Sequence, residues 1–236
     1  LALEKTLDDL QIDYLDLYLI HFPISLKFVP FEERYPPEWF NNPDILDPVM
    51  VPARVPLSDT WQAMEALKSD KVAHHIGICN YSSALIHDLM NYCETKPEIL
   101  QIEAHPYLTQ EKLIRLAKNY GMEVTAFSPL GSLSYEEMGG AEKSESLLKS
   151  ETIKAISQNV QASPAQVVLG WALSRGTSVV VKSSSDQRML ENIGSARLKL
   201  DQRALDAISQ LNINKRYNDP GVFCEDAFNT FYPIYE

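Results

Sequence analysis

Asp13-Tyr14-Leu15-Asp16-Leu17-Tyr18-Leu19-Ile20-His21-Phe22-Pro23 is the stretch on which the fold of this chain turns. From Tyr14 to Ile20 every residue except Asp16 is apolar or aromatic. That is the pattern of a strand covered on both faces, and Pro23 stops it. His21 follows the last strand position directly. In a parallel α/β protein the reactive groups collect at the C-terminal ends of the strands, so an imidazole there is a candidate site residue. A histidine that merely packs or caps a strand end is the alternative, and the remainder of the chain has to decide.

Upstream, Leu3, Leu7 and Leu10 recur at helical spacing between Glu4, Lys5, Asp8 and Asp9. The chain opens on Leu1 inside this helix, without a capping residue, and we expect that it lacks an N-terminal part. Downstream, Ile24 to Pro56 holds RYPPEWF and DPVMVPARVP. Neither regular helix nor central strand accommodates so many prolines, and a loop of this length is usually functional.

From Ser58 the alternation becomes regular. A helix precedes the strand HHIGIC, which ends at Asn80, and a helix over Ala84–Cys93 follows. The strand ILQIEA ends near His105 and leads to a helix over Gln110–Asn119. MEVTAF ends at Ser128, before a Gly- and Ser-rich loop from Leu130 to about Ser146. Helices follow near Leu147–Gln158 and Pro164–Ser174. The strand SVVVK ends at Lys182, before helices over Asp186–Gly194 and Gln202–Leu211 and an irregular tail from Asn214 to Glu236. Five β/α units imply a parallel sheet with right-handed crossovers. The expected fold class is an α/β (β/α)8 barrel, in a single domain over 1–236. A complete barrel needs three further units, about 90 residues at roughly 30 per unit.

With 45% hydrophobic and 22% charged residues in 236, the composition is that of an ordinary soluble globular protein. A formal charge of −11 argues against non-specific nucleic-acid binding, which needs a basic face. Cys79, Cys93 and Cys224 are odd in number and widely spaced, which fits a reducing compartment. No signal peptide or long apolar span points to a membrane, so the cytoplasm is the expected location.

Closing the strands side by side collects His21, Cys79, Asn80, Gln101, His105, Phe127, Ser128, Lys182 and Ser183 at one mouth. Asn80 and Gln101 each carry a donor and an acceptor suited to a planar amide, or they simply satisfy strand ends. Phe127 offers a flat face for a heteroaromatic ring, or belongs to the core. Lys182, Arg188 and the serines between them suit a phosphate at a helix N-terminus, with a solvated turn as the alternative. Together these describe a nicotinamide dinucleotide lying across the mouth. A Rossmann fingerprint is missing, and no metal-ligand cluster is evident. An unrelated barrel chemistry would need a carboxylate base; Glu103 is the nearest, on the same side as Gln101 by strand alternation.

LYLIHFP, GICNYS, LQIEAHPYL, TAFSPLGS and VVVKSSSDQR, in this order and spacing, closely resemble the aldo-keto reductases over nearly the whole chain. The loop KFVPFEERYPPEWF and the late RYNDP resemble the aldose- and xylose-reductase branch. The resemblance implies NADPH-dependent (NADP+-linked) reduction of aldehydes, aldoses or ketones to alcohols, in a full-length monomer or weak dimer. It implies that His21 orients the carbonyl, and that Cys79, Asn80 and Gln101 meet the carboxamide. Phe127 would stack on nicotinamide; Ser128, Leu130 and Ser132 would run along the pyrophosphate. Lys182, Ser183 and Arg188 would read the 2′-phosphate, and Glu191 and Asn192 the adenine. Phe22, Trp39 and Asn218 would shape the substrate pocket. Cys79 stands where the family usually has Ser, Phe127 where it has Tyr, and Val181 where it has Pro. The family's catalytic Asp, Tyr and Lys lie upstream of the matching segment. A catalytically inactive NADPH-binding sensor or regulatory protein on the same scaffold is therefore the alternative.

Overall fold

Helix and strand alternate through the computed structural model, which describes residues 1–42, 44, 46–137, 141, 142 and 145–235. Two compact units emerge, one from Leu1–Glu98 with Asn218–Glu236, the other from Ile99–Tyr217. Positions 138–140, 143 and 144 of the expected Gly- and Ser-rich loop lie outside the described residues, as do 43, 45 and 236.

The first unit contains α1 (Ala2–Leu10), β1 (Leu15–Ile20), α2 (Leu57–Ser69), β2 (Ala73–Cys79) and α3 (Ser83–Tyr92), and later α10 (Pro220–Phe228). β1 and β2 run parallel, with Leu15 opposite Ala73 and Ile20 opposite Ile78. Ile76 and Ile78 of β2 pack out of solvent, as do Trp61, Ile86 and Leu89 of α2 and α3. The Trp61 indole N–H is satisfied by the Thr95 carbonyl at 2.9 Å.

The second unit contains β3 (Ile99–Glu103), α4 (Glu111–Asn119), β4 (Glu123–Phe127), α5 (Leu133–Glu137), α6 (Glu151–Val160), α7 (Pro164–Ser174), β5 (Ser178–Val179), α8 (Asp186–Gly194) and α9 (Gln202–Ser209). β3 pairs parallel with β4, placing Gln101 opposite Thr125 and Glu103 opposite Phe127; β5 continues on β4. The core centres on α7, whose Val167, Val168, Trp171 and Ala172 bury against Leu147, Ile153 and Ile208. α7 starts on a full capping box: Ser163 Oγ accepts from Gln166 N, Gln166 Oε1 accepts from Ser163 N, and Pro164 fills the first turn. Ser163→Ala is expected to destabilise this unit by about 1 kcal/mol, measured as a shift in the urea midpoint.

Several expectations need correction. β1 is not covered on both faces: Asp16 and Leu17, adjacent residues that point to opposite faces, are both exposed. The helix expected over Leu147–Gln158 is a single 3₁₀ turn, Leu147–Lys149, followed after Ser150 by α6. The strand SVVVK shrinks to Ser178–Val179, although Val180 N still donates to Ala126 O at 2.9 Å. α5 interrupts the Leu130–Ser146 loop. The tail from Asn214 is not wholly irregular. It contains α10, capped by Asp219, whose carboxylate accepts from Gly221 N at 2.8 Å, with Pro220 as its first residue.

Candidate active site

In the first unit His21 follows β1 as the sequence indicates, and its ring is accessible. Protein packed against the imidazole disfavours the charged form, so desolvation lowers its pKa from the ordinary 6.5. A neutral ring keeps one N–H donor and one acceptor nitrogen. An NMR titration of His21 is expected to give a midpoint below 6.5. With the folded value depressed, the stability tied to this ring is complete above about 6.5 and falls as pH drops through the folded midpoint. His21→Phe should remove that portion of the acid sensitivity in urea titrations; a midpoint at or above 6.5 would overturn this environment for the ring.

Phe22 and Trp39 are brought together beside it. Phe22 lies 4.7 Å from the His21 ring and meets Trp39 edge-on at 4.9 Å. Phe223 of α10 completes this aromatic wall, 5.4 Å from Trp39. Sequence reading missed Phe223, although Asp219-Pro220 is a legible helix start. Asn218 lies just before that cap and is partly buried.

Asn80 is turned out of β2 by a left-handed backbone, φ +63, which asparagine tolerates well. It is already engaged: Nδ2 donates to the His21 carbonyl at 2.8 Å and to Cys79 Sγ at 3.4 Å, while Oδ1 accepts from the Tyr235 hydroxyl at 3.1 Å. Both donors are used within the unit, and Oδ1 keeps its second lone pair for a ligand N–H. Asn80 also ties the backbone of His21 to the end of β2. Burial pushes the Cys79 thiol up to about 12, so it stays protonated, as a small packed residue would.

In the second unit Gln101, in the middle of β3, and Phe127, at the end of β4, are both partly buried. Ser128 adopts φ +47, and its hydroxyl lies 3.1 Å from that of Tyr135. Ser132 is fully buried and donates to Glu136 at 2.9 Å, so it shapes the loop from within. Leu130, Lys182, Ser183, Arg188, Glu191 and Asn192 line one cavity of about 420 Å³. One side of it is formed by Arg188, Glu191 and Asn192 of α8, at whose start Ser185 Oγ accepts from Arg188 N at 3.5 Å. Two cations, serine hydroxyls and a helix N-terminus form a donor set suited to a phosphate group, and Glu191 with Asn192 adds polar partners for a base. Among the described residues no group of His, Cys, Asp and Glu is arranged to hold a metal ion.

Parallel β/α units with polar residues at the strand ends define an α/β protein of the barrel class. The model of the aldo/keto reductase family matches residues 2–213. An NAD(P)H-dependent D-xylose reductase of Kluyveromyces lactis is 43% identical over 234 residues, covering 98% of this chain and 71% of that protein. An NADPH-dependent aldose reductase of Saccharomyces cerevisiae is 43% identical over 236 residues, covering 98% and 72%. The solved aldose reductase of Giardia lamblia superposes with a TM-score of 0.82 at 31% identity, covering all of this chain and 72% of that one. The chain belongs to the aldo/keto reductase family, and its fold class is the (β/α)8 barrel, of which it carries five β/α units.

Proposed function

We propose that the protein reduces small aldehydes and aldoses to the corresponding alcohols, using NADPH. The observation that carries this reading is the gathering of Lys182, Ser183, Arg188, Glu191 and Asn192 around one cavity at the start of α8. The cofactor, when bound, supplies the hydride. Lys182 and Arg188 hold its 2′-phosphate, with Ser183 as a hydroxyl partner, and Glu191 and Asn192 meet the adenine. Ser128, Leu130 and Ser132 form the loop along the pyrophosphate, Ser132 by shaping it. Phe127 offers its face to the nicotinamide ring, and Gln101 and Asn80 offer amides to the carboxamide. The neutral His21 donates a hydrogen bond to the carbonyl oxygen of the substrate and orients it. Phe22, Trp39 and Asn218 receive the rest of the substrate, the two rings excluding water and the amide meeting hydroxyl groups.

The names of the relatives support an aldose as substrate, since both are reductases of that class. All three cysteines are free thiols, which supports a reducing, cytoplasmic setting. Among the described residues no helix is long and apolar enough to cross a membrane. The test is a fluorescence titration with NADPH and with NADH, followed by NADPH consumption in the presence of D-xylose. Saturable binding that favours NADPH, with xylose-dependent consumption, is the expected result. No binding of either nucleotide would overturn the reading.

A further inference from the structure

Glu103 ends β3 with its side chain wholly out of solvent. A buried carboxylate is costly unless several partners hold it, so the identity of those partners shows what it is kept for. Oε1 accepts the backbone N–H of Tyr217, 114 positions away, at 2.8 Å. The same oxygen lies 2.9 Å from Nε2 of His105, and the Arg216 guanidinium stands 3.9 Å from Oε2. His105 is equally buried, and its Nδ1 has no hydrogen-bond partner among the described residues. That histidine spends its one polar contact on Glu103. Three groups thus converge on the carboxylate, two of them from the short segment before Asn218.

The same segment reaches the loop that follows β4. The Tyr217 ring stacks on that of Tyr135 at 5.6 Å, and its hydroxyl meets Ser132. Tyr135 in turn lies 3.1 Å, hydroxyl to hydroxyl, from Ser128. Lys215 adds a second tie by pairing with Glu145 at 3.0 Å. A continuous run of contacts therefore leads from Glu103 through Tyr217 to Ser132, Tyr135 and Ser128.

We propose that Glu103 is a positioning residue, whose carboxylate fixes Arg216–Tyr217 and so holds the Ser128–Ser132 loop in the form that receives the pyrophosphate of the cofactor. The proposal rests on the cofactor reading above and adds to it a residue that touches neither cofactor nor substrate. Glu103→Leu removes the acceptor for Tyr217 N–H; Glu103→Gln keeps a carbonyl acceptor at the same reach.

The test compares binding of NADPH, which carries the pyrophosphate, with binding of adenosine 2′,5′-bisphosphate, which fills only the Lys182–Arg188 end. Glu103→Leu is expected to weaken NADPH at least about tenfold and the bisphosphate by less than about twofold, with Glu103→Gln recovering most of the loss. Equal loss of both ligands, no loss of either, or a glutamine variant as poor as leucine would overturn it. Tyr217→Leu leaves the backbone tie to Glu103 intact but removes the ring, and is expected to show the same selective loss. Should Glu103→Leu not fold, that variant decides: unchanged or unselective binding overturns the proposal. A wild-type protein that binds the bisphosphate but not NADPH would instead sink the cofactor reading.

Discussion

Arg188→Ala is expected to weaken NADPH binding about tenfold or more while leaving NADH binding within about twofold. A charge-assisted hydrogen bond to phosphate contributes roughly 1.5–3 kcal/mol, which spans about ten- to a hundredfold in affinity. Arg188 and Lys182 are both solvent-exposed, so screening places the effect toward the lower end. Its geometric basis is local. Arg188 sits in the first turn of α8, across a shared cavity from Lys182 and Ser183. Since only NADPH bears a 2′-phosphate, the cofactor difference isolates this one contact. Raising the salt concentration should narrow that difference, because the attraction is between exposed charges. Equal losses for both cofactors would move Arg188 out of the phosphate role.

Trp171→Ala is expected to be the most destabilising of these changes, by about 3–5 kcal/mol. The indole is 1% exposed and lies at the centre of the second unit, with Val167, Val168, Leu147, Ile153 and Ile208 around it. Its N–H donates to Ser209 Oγ of α9 at 3.0 Å, and the Arg175 guanidinium lies over the ring at 4.4 Å. The alanine variant loses the apolar burial, leaves a cavity that close packing cannot refill, and removes both of those contacts. Trp171→Phe keeps most of the volume and should cost considerably less. The urea midpoint, together with hydrogen exchange of the α7 and α9 amides, measures both. A loss below about 1 kcal/mol for Trp171→Ala would mean that the α7 surroundings relax freely, contrary to a close-packed core.

The elements the sequence shows clearly are those whose signals are local. Four of the expected strands appear nearly in full and the fifth only as Ser178–Val179, each in a short, largely apolar run bounded by turn residues. α4 appears through its apolar spacing and α7 through its capping box, signals written within ten or so residues. α10 was legible in principle from Asp219-Pro220, a cap followed by a residue preset for the first helical turn. The surrounding tail shows no clear periodicity to reinforce it.

The candidate site divides along the same line. His21, Asn80, Phe127, Lys182 and Arg188 could be named from the sequence, because position at a strand end or helix start depends only on neighbouring residues. What those side chains are bonded to could not. Asn80 spends both donors on His21 and Cys79, and Ser132 turns inward to Glu136, through contacts that depend on backbone direction. Phe223 joins Phe22 and Trp39 only because α10 returns some 180 residues later to the same place. Glu103 shows the division most plainly. Strand alternation put it beside Gln101, yet its partners Arg216 and Tyr217 are remote in sequence, and a period of two along a strand carries no information about them. By itself the sequence determined the alternation of elements, the family and the residue types at the strand ends, since propensity, patterning and capping act over short separations. Only the tertiary structure decided which buried polar groups satisfy one another, because that follows from chain crossings that bring distant residues within hydrogen-bond reach.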